Sequence, residues 1–202
     1  VALPNGVVVI NDCYNANPVA MRAAGDHLAE GASDRGAPRS VAVIGASRAW
    51  GSIGYSLLNN LIEGEFSGPV YGVNPEAFEL GGMVSYGTVR EIPGPVDLAV
   101  IAVPQEEVRG VIEDCAIAGV KGLLVVTGGF EQDGEAGLAR QRELVHLARA
   151  NGMRVIGPAS LGLVNTDPAI KLNASVAPGM PKRGSLGLFS QSAAIGVLLY
   201  AA

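Results

Sequence analysis

Short apolar runs alternate with amphipathic stretches along most of this chain. The apolar runs, such as residues 41–45 and 97–103, are rich in β-branched side chains and are bounded by turn residues. Continuous runs of this kind predict strands that are buried on both faces of a parallel sheet. The stretches between them repeat apolar residues every three or four positions, which predicts helices. The alternation therefore predicts a doubly wound, mainly parallel α/β sheet with helices on both faces.

From residue 41 the predicted order is strand, helix, strand, strand, helix, strand, helix, strand. The ranges are, in that order, 41–45, 52–63, 70–73, 97–103, 105–118, 122–127, 135–150 and 154–156. Residues 157–183 show neither period and are rich in proline, so we predict an irregular segment there. A further strand is predicted at 186–189 and a helix at 193–199.

The domain organisation is predicted to comprise three segments. Residues 1–36 form a strand-helix segment, because Asn17 and Pro18 provide an N-cap with proline at the first helical position. Residues 37–180 form a Rossmann-like domain. Residues 181–202 form the truncated start of a second α/β domain, since the sequence stops inside an apolar helical pattern.

Composition and charge exclude several functions. The net charge of -5, the pI near 5.0 and an aromatic content of 5% argue against nucleic-acid binding. Neither a membrane span nor a signal segment is recognisable, which predicts a cytoplasmic protein without membrane partners. Cys13 and Cys115 are far apart in the sequence and are expected to be buried thiols. No metal site and no catalytic residue is predicted, because His27 and His146 match no catalytic pattern.

The loop after the first strand of the predicted sheet carries the main candidate chemistry. In residues 41–54, VAVIGASRAWGSIG, a buried strand leads into Gly45, Gly51 and Gly54 and then into a helix. A strand, a glycine-rich loop and a helix N-terminus together form a common phosphate site. The first two glycines are farther apart than in the GxGxxG pattern of dinucleotide sites. This spacing favours coenzyme A over NAD.

Several groups in this loop are expected to face an anion. Glycine lets the backbone turn sharply, so we expect the amides of Ala46, Ser47, Ser52 and Ile53 to be free. The hydroxyl group of Ser47 and the guanidinium group of Arg48 would add polar contacts to a phosphate.

The ends of the other strands supply further candidates, since ligands of doubly wound sheets lie beyond the carboxyl ends of the strands. Asn74 and Pro75 follow the second strand, where an NAD site would place an acidic residue for the ribose hydroxyls. This difference again disfavours NAD. The later strand ends are Val103 with Pro104, Gly128 in a Gly-Gly pair, and Pro158 after Gly157.

Eight sequence strings together resemble the coenzyme A-binding domain of the NDP-forming acyl-CoA synthetases. This family is related to the succinyl-CoA synthetase α-subunit, and its domain is also fused to GNAT protein acetyltransferases. The resemblance covers about residues 39–202. It rests on RSVAVIGAS, GSIGYSLLNNL, GPVYGVNP, PVDLAVIAVP, GVKGLLVVTGGF, GMRVIGPASLGLVN, LNASVAP and GSLGLFSQSAAIG.

The resemblance implies that coenzyme A or acyl-CoA is the cofactor. The implied cofactor-binding residues are Gly45, Ala46, Ser47, Arg48, Gly51, Ser52, Ile53, Gly54, Asn74, Pro75, Val103, Pro104, Gly128 and Pro158. Among them, the glycine-rich loop would hold the phosphates, Asn74 to Pro75 and Val103 to Pro104 would lie nearer the adenosine, and Pro158 would lie near the thiol-bearing arm. The chain departs from the family at Ala159 and Ala193, where asparagine and glycine are usual.

A second resemblance covers residues 5–28. The string YNANP at Tyr14 to Pro18 is similar to the start of the C-terminal domain of the Mur ligase that adds D-alanyl-D-alanine. That ligase also requires a P-loop and a central ATPase domain, and neither is recognisable here. We therefore expect no Mur ligase activity and interpret the chain as a chimera of two α/β segments.

Three functions remain open at this point. The first is a coenzyme A or acyl-CoA binding module of a synthetase-like protein without complete catalytic machinery. The second is an NAD(P)-binding Rossmann domain, and the third is an engineered chimera without retained activity. The expected ligand is a nucleotide-like small molecule. The apolar helix near Ile195 to Tyr200 predicts either a partner domain or a homo-oligomer.

Overall fold

The computed structural model describes residues 9–10, 37–76, 79–80, 83–184, 187–188, 190 and 196–198. The chain divides into two compact units, Pro38–Met180 and a unit composed of Val1–Ala37 and Pro181–Ala202. In the second unit, the described strands β1 (Val9–Ile10) and β11 (Gly187–Leu188) pair in parallel. The Mur-like string and the helix predicted after Pro18 lie outside the described residues. Of the helix predicted at 193–199, residues 196–198 are described and are helical.

The larger unit contains the remaining described strands and helices. Its strands are β2 (Val41–Ile44), β3 (Val70–Val73), β4 (Glu79–Leu80), β5 (Met83–Val84), β6 (Leu98–Ile101), β7 (Gly122–Val125), β8 (Arg154–Ile156), β9 (Gly162–Asn165) and β10 (Leu172–Ser175). Its α-helices are α1 (Ile53–Glu63), α2 (Val108–Ile117) and α3 (Gly134–Ala150). None of the helices in the described part of the chain is both long and apolar enough to cross a bilayer.

Five strands form one parallel sheet in the order β3-β2-β6-β7-β8. The chain starts at β2, moves outward to β3, and then continues on the other side of β2 with β6. This reversal creates a topological switch point between β2 and β6, where the loops after the two strands diverge and leave a crevice. The predicted doubly wound parallel fold is confirmed.

The continuous apolar runs are explained by burial on both faces of this sheet. Along β2, Ala42 and Ile44 pack against the side covered by α2 and α3, whereas Val41 and Val43 pack against the side covered by α1. The other central strands alternate in the same way. Because successive side chains point to opposite faces, a strand covered on both sides needs apolar residues at every position.

The prediction of an irregular segment at residues 157–183 is wrong. Strands β9 and β10 form an antiparallel hairpin within it, and all four residues of β10 are buried. Strand β10 was not predicted because two of its buried positions carry polar residues. Asn173 and Ser175 are each only 1% exposed, and the hydroxyl group of Ser175 donates a 2.7 Å hydrogen bond to the side-chain oxygen of Asn173. The buried Asn60 of α1 donates to the carbonyl oxygens of Ser175 and Ala177, at 2.8 Å in both cases. The hairpin is therefore an integral part of the core on the α1 side.

Cys115 lies on the buried face of α2, as expected for a buried thiol, and we predict that it is unreactive in the folded protein. Its side chain is fully buried, and this burial raises the pKa of the thiol to about 12. At pH 8 the thiolate fraction is then on the order of a thousandfold lower than for an exposed cysteine with a pKa of about 8.5. A thiol reagent added to a Cys13→Ser variant should react only after denaturation. Rapid reaction of the native protein would contradict the burial.

Candidate functional site

A cleft opens at the switch point of the parallel sheet, beyond the carboxyl ends of β2, β6 and β7. Its volume is about 380 Å³, within the range of roughly 300–1,000 Å³ typical of small-molecule sites. The lining residues are Gly45, Ser47, Ser52, Ile53, Gly54, Ala102, Val103, Pro104, Thr127 and Gly128. The cleft thus joins the glycine-rich loop to the two neighbouring strand ends.

Two glycines let the loop pack closely against its surroundings. Gly45 has a φ of +91°, and a Cβ there would lie 2.5 Å from the carbonyl oxygen of Ala102. Gly54 lies in the first turn of α1, and a Cβ on it would lie only 1.9 Å from the carbonyl oxygen of Gly45. No side chain fits at either position without movement of the backbone. The helix N-terminus consequently sits directly against the end of β2.

The N-terminus of α1 supplies hydrogen-bond donors to the cleft. Ser52 is the N-cap, and its hydroxyl oxygen accepts a 3.2 Å hydrogen bond from the amide of Tyr55. The amides of Ile53 and Gly54 precede the first intrahelical bond and donate to no acceptor among the described residues. Such unpaired donors, together with the helix dipole, favour an anion by about 0.3–1 kcal/mol at an exposed site.

The expectation that four loop amides are free is wrong for two of them. The amide of Ala46 donates to the carbonyl oxygen of Val73 at 3.2 Å, and the amide of Ser52 donates to that of Ala49 at 3.1 Å. The first bond ties the loop to the end of β3, and the second closes a turn within the loop. The amides of Ser47 and Ile53 donate to no acceptor within the described ranges and remain available to a ligand.

Asn74 fixes the loop from the end of β3. Its side-chain amide donates to the carbonyl oxygen of Ala46 at 2.7 Å, while its Oδ1 accepts from the amide of Glu76 at 2.9 Å. Its own backbone amide donates to the carbonyl oxygen of Tyr86 at 2.9 Å. The side chain and the backbone amide of this half-buried residue are therefore engaged within the protein, and Asn74 does not line the cleft.

The ends of β6, β7 and β8 are tied together by a chain of hydrogen bonds. The hydroxyl group of Thr127 donates to the carbonyl oxygen of Val103 at 2.7 Å. The carbonyl oxygen of Thr127 accepts a 3.0 Å bond from Ala159, which follows the cis bond between Gly157 and Pro158. Ala159 adopts a left-handed φ of +56°, a conformation that asparagine tolerates better than alanine.

The cleft brings together most of the predicted cofactor-binding residues. Those that line it are Gly45, Ser47, Ser52, Ile53, Gly54, Val103, Pro104 and Gly128. The predicted residues that do not line it are Ala46, Arg48, Gly51, Asn74, Pro75 and Pro158. Sequence reasoning missed Ala102 and Thr127, although Ala102 directly follows β6 and Thr127 lies just beyond the end of β7, where the other candidates also lie.

The lining of the cleft is neutral. It consists of glycines, small apolar residues and hydroxyl side chains, and no side chain that ionises near neutral pH is among them. Within the described part of the chain, no cluster of histidine, cysteine, aspartate or glutamate is arranged to hold a metal ion. Such a lining can bind an anion through amides and hydroxyl groups but contains no acid-base pair.

A protein-family model described as a CoA binding domain matches residues 39–166, which is more than half of the chain. The chain belongs to this CoA-binding family. The predicted resemblance to coenzyme A-binding domains is thereby confirmed, and coenzyme A is the ligand of the domain. The matched region contains β2 to β9 and the entire lining of the cleft.

The chain is similar to parts of ADP-forming ligases. The chain is 45% identical over 166 residues to the alpha subunit of ADP-forming acetate–CoA ligase I from Pyrococcus furiosus, covering 80% of the chain and 36% of the relative. The alpha subunit of ligase II from the same organism is 43% identical over 159 residues, covering 79% of the chain and 34% of the relative. The chain thus spans about a third of the length of these relatives.

A solved structure of acetyl-coenzyme A synthetase 1 from Candidatus Korarchaeum cryptofilum, in complex with phosphate and ADP, has the same fold. Its TM-score to this chain is 0.76 at 43% sequence identity. The match covers 81% of the chain and 34% of that structure. The CoA-binding domain described here is therefore homologous to part of a larger multidomain enzyme.

Proposed function

We propose that the cleft at the switch point is the coenzyme A site and that the unpaired amides at the start of α1 bind the diphosphate. The observation that supports this proposal most directly is the position of Ile53 and Gly54, whose unpaired amides lie at the wall of the cleft. A diphosphate brings several acceptor oxygens to one point, which suits a cluster of amides at a helix N-terminus. The neutral lining leaves this recognition to backbone dipoles and hydroxyl groups.

The predicted residues take different roles in this proposal. Ser47 and Ser52 add hydroxyl groups beside the phosphates, and Gly45 and Gly54 permit the close approach of the backbone. Val103 and Pro104, with Ala102, form the apolar wall nearer the adenosine. Thr127 and Gly128 continue the cleft toward Pro158, beside which the thiol-bearing arm would pass.

The predicted residues outside the lining support the loop or border it. Ala46 and Asn74 hold the loop through their mutual hydrogen bond of 2.7 Å. Gly51 turns the chain with a φ of +84°. Arg48 and Pro75 are exposed, and we place both at the rim of the site.

Binding of NAD at this site is disfavoured by the end of β3. Dinucleotide sites use an acidic side chain there to accept hydrogen bonds from the ribose hydroxyls. In this protein Asn74 occupies that position, and its side chain is already bonded to Ala46 and Glu76. The carboxylate that would accept hydrogen bonds from a ribose diol is therefore missing at this position.

We further propose that the protein acts as the coenzyme A-binding part of an ADP-forming acid–CoA ligase. The lining of the cleft holds no histidine or carboxylate. In this proposal the domain therefore binds coenzyme A, and the catalytic groups belong to other domains. The acyl-transfer and phosphoryl-transfer groups would then come from other parts of such an enzyme. The identity of the acid would be decided there as well.

Calorimetric titration tests the site assignment. We expect the protein to bind coenzyme A and to ignore NADH, and coenzyme A at a hundred times its Kd should stabilise the fold by about 2.7 kcal/mol. Binding of NADH alone would overturn the proposal. A melting temperature that does not move with coenzyme A would instead favour a chimera without retained activity.

The origin of the N-terminal segment and the assembly state remain predictions. We propose that residues 5–28 derive from a Mur ligase-like C-terminal domain, on the strength of the YNANP string and because the family match begins only at residue 39. We also propose that the apolar helix predicted near Ile195 to Tyr200 contacts a partner domain or a second copy of the chain. Two of its described residues, Val197 and Leu198, are apolar, and Leu198 is 71% exposed.

A further inference from the structure

A large aromatic side chain stands exposed on the loop that forms the cleft. Trp50 is 86% exposed and is the only tryptophan of the chain. It lies between Ser47 and Ser52, both of which line the cleft. Ile53, which also lines the cleft, is 51% exposed. Two large apolar side chains are thus exposed within four residues of each other on this loop, at a cost in free energy that a bound ligand would offset.

The turn that presents Trp50 is held by hydrogen bonds on both sides. The amide of Ala49 donates to the hydroxyl oxygen of Ser47 at 3.0 Å, and its carbonyl oxygen accepts from the amide of Ser52 at 3.1 Å. Gly51 has a φ of +84° while a Cβ on it would meet nothing within 4 Å. Glycine is therefore favoured at position 51 by the positive φ of the backbone and not by a steric clash with a neighbouring residue. The turn places Trp50 in solvent by its backbone geometry.

We propose that the indole of Trp50 stacks on the adenine base of bound coenzyme A. This inference rests on the proposed function, in which the diphosphate binds at the amides of Ile53 and Gly54. The adenosine is joined directly to that diphosphate, so its base must lie near the loop. Every base offers a π-face to an aromatic side chain, and such stacking needs no hydrogen-bond partner. The flexible pantetheine arm has no planar group of this kind.

Comparing two ligands tests whether Trp50 contacts the adenine base or another part of the cofactor. Coenzyme A contains the adenosine, whereas 4′-phosphopantetheine lacks it. By calorimetry, Trp50→Ala should bind coenzyme A roughly ten- to a hundredfold more weakly than the unchanged protein. Its affinity for 4′-phosphopantetheine should stay the same. Trp50→Phe keeps an aromatic face and should recover most of the affinity for coenzyme A.

A matched control removes another exposed apolar side chain. Ile117 at the end of α2 is 68% exposed and lies outside the glycine-rich loop, so Ile117→Ala should bind both ligands normally. In the unchanged protein the fluorescence of the single tryptophan should be quenched by coenzyme A and not by 4′-phosphopantetheine.

Each contrary result has a distinct meaning. If Trp50→Ala binds coenzyme A with unchanged affinity, the stacking is refuted and the site assignment stands. If both ligands are weakened equally, Trp50 supports the loop and not the base, which also refutes the stacking. If the unchanged protein binds neither ligand, the proposed function fails and the stacking fails with it.

Discussion

Gly54→Ala should lower the free energy of unfolding by about 3 kcal/mol, toward the upper end of the cost of overpacking, and should abolish coenzyme A binding. The added Cβ would lie 1.9 Å from the carbonyl oxygen of Gly45. That oxygen belongs to the backbone at the end of β2 and cannot move aside as the tip of a flexible side chain can. The start of α1 must therefore shift, and with it the amides of Ile53 and Gly54 that are proposed to bind the diphosphate.

The matched control is Gly110→Ala in α2, where a Cβ would meet nothing within 4 Å. Both glycines are helical, so the two variants differ mainly in the space available. Because alanine is the better helix former, Gly110→Ala should raise stability by up to about 1 kcal/mol. Thermal unfolding should show a melting temperature lower by roughly 6–12 °C for Gly54→Ala. Similar melting temperatures for both variants would contradict the tight contact between loop and helix.

Much of the fold was predictable because it depends on local pattern. The central strands β2 and β6 are apolar at every position, and this pattern reflects burial on both faces independently of their partners. The glycine-rich loop was recognisable for a similar reason, since Gly45 and Gly54 meet steric demands that no other residue satisfies. The demand at Gly54 comes from nearby Gly45, whereas the demand at Gly45 comes from Ala102 after β6 and is visible in the sequence only as a glycine that follows an apolar run.

Contacts between distant residues were not predictable in the same way. Asn60 bonds to Ser175 across 115 positions, and this contact helps to hold a hairpin in a segment without a clear period. The amide of Ala46 donates a hydrogen bond to the carbonyl oxygen of Val73, and the spacing of the glycines does not predict this bond. The hydrogen bonds that the side chain of Asn74 makes with Ala46 and Glu76 are likewise not visible in the sequence. Hydrogen-bond pairing of this kind is decided by tertiary structure.

Asn74→Asp places at the end of β3 the acidic residue that dinucleotide sites use there, and we expect it to damage the site without creating NAD binding. The side-chain amide of Asn74 donates to the carbonyl oxygen of Ala46 at 2.7 Å. A carboxylate has nearly the same shape but cannot donate, so two acceptor oxygens would face each other. At pH 7 the variant should lose about 2 kcal/mol of stability. Its affinity for coenzyme A should also fall, because the loop is less firmly held and carries an additional negative charge.

The dependence of this defect on pH distinguishes a lost hydrogen bond from a simple change of shape. The opposing carbonyl oxygen of Ala46 raises the pKa of the introduced carboxyl group in the folded state, since only the protonated form can donate. The folded variant then binds more protons than its unfolded chain, so its stability relative to the unchanged protein should recover as the pH falls through that raised pKa. Asn74→Ala removes the donor without adding a titrating group and should show no such recovery. Urea denaturation of both variants between pH 4 and pH 8 measures the difference, and parallel pH profiles would mean that Asn74 does not hold the loop through this hydrogen bond.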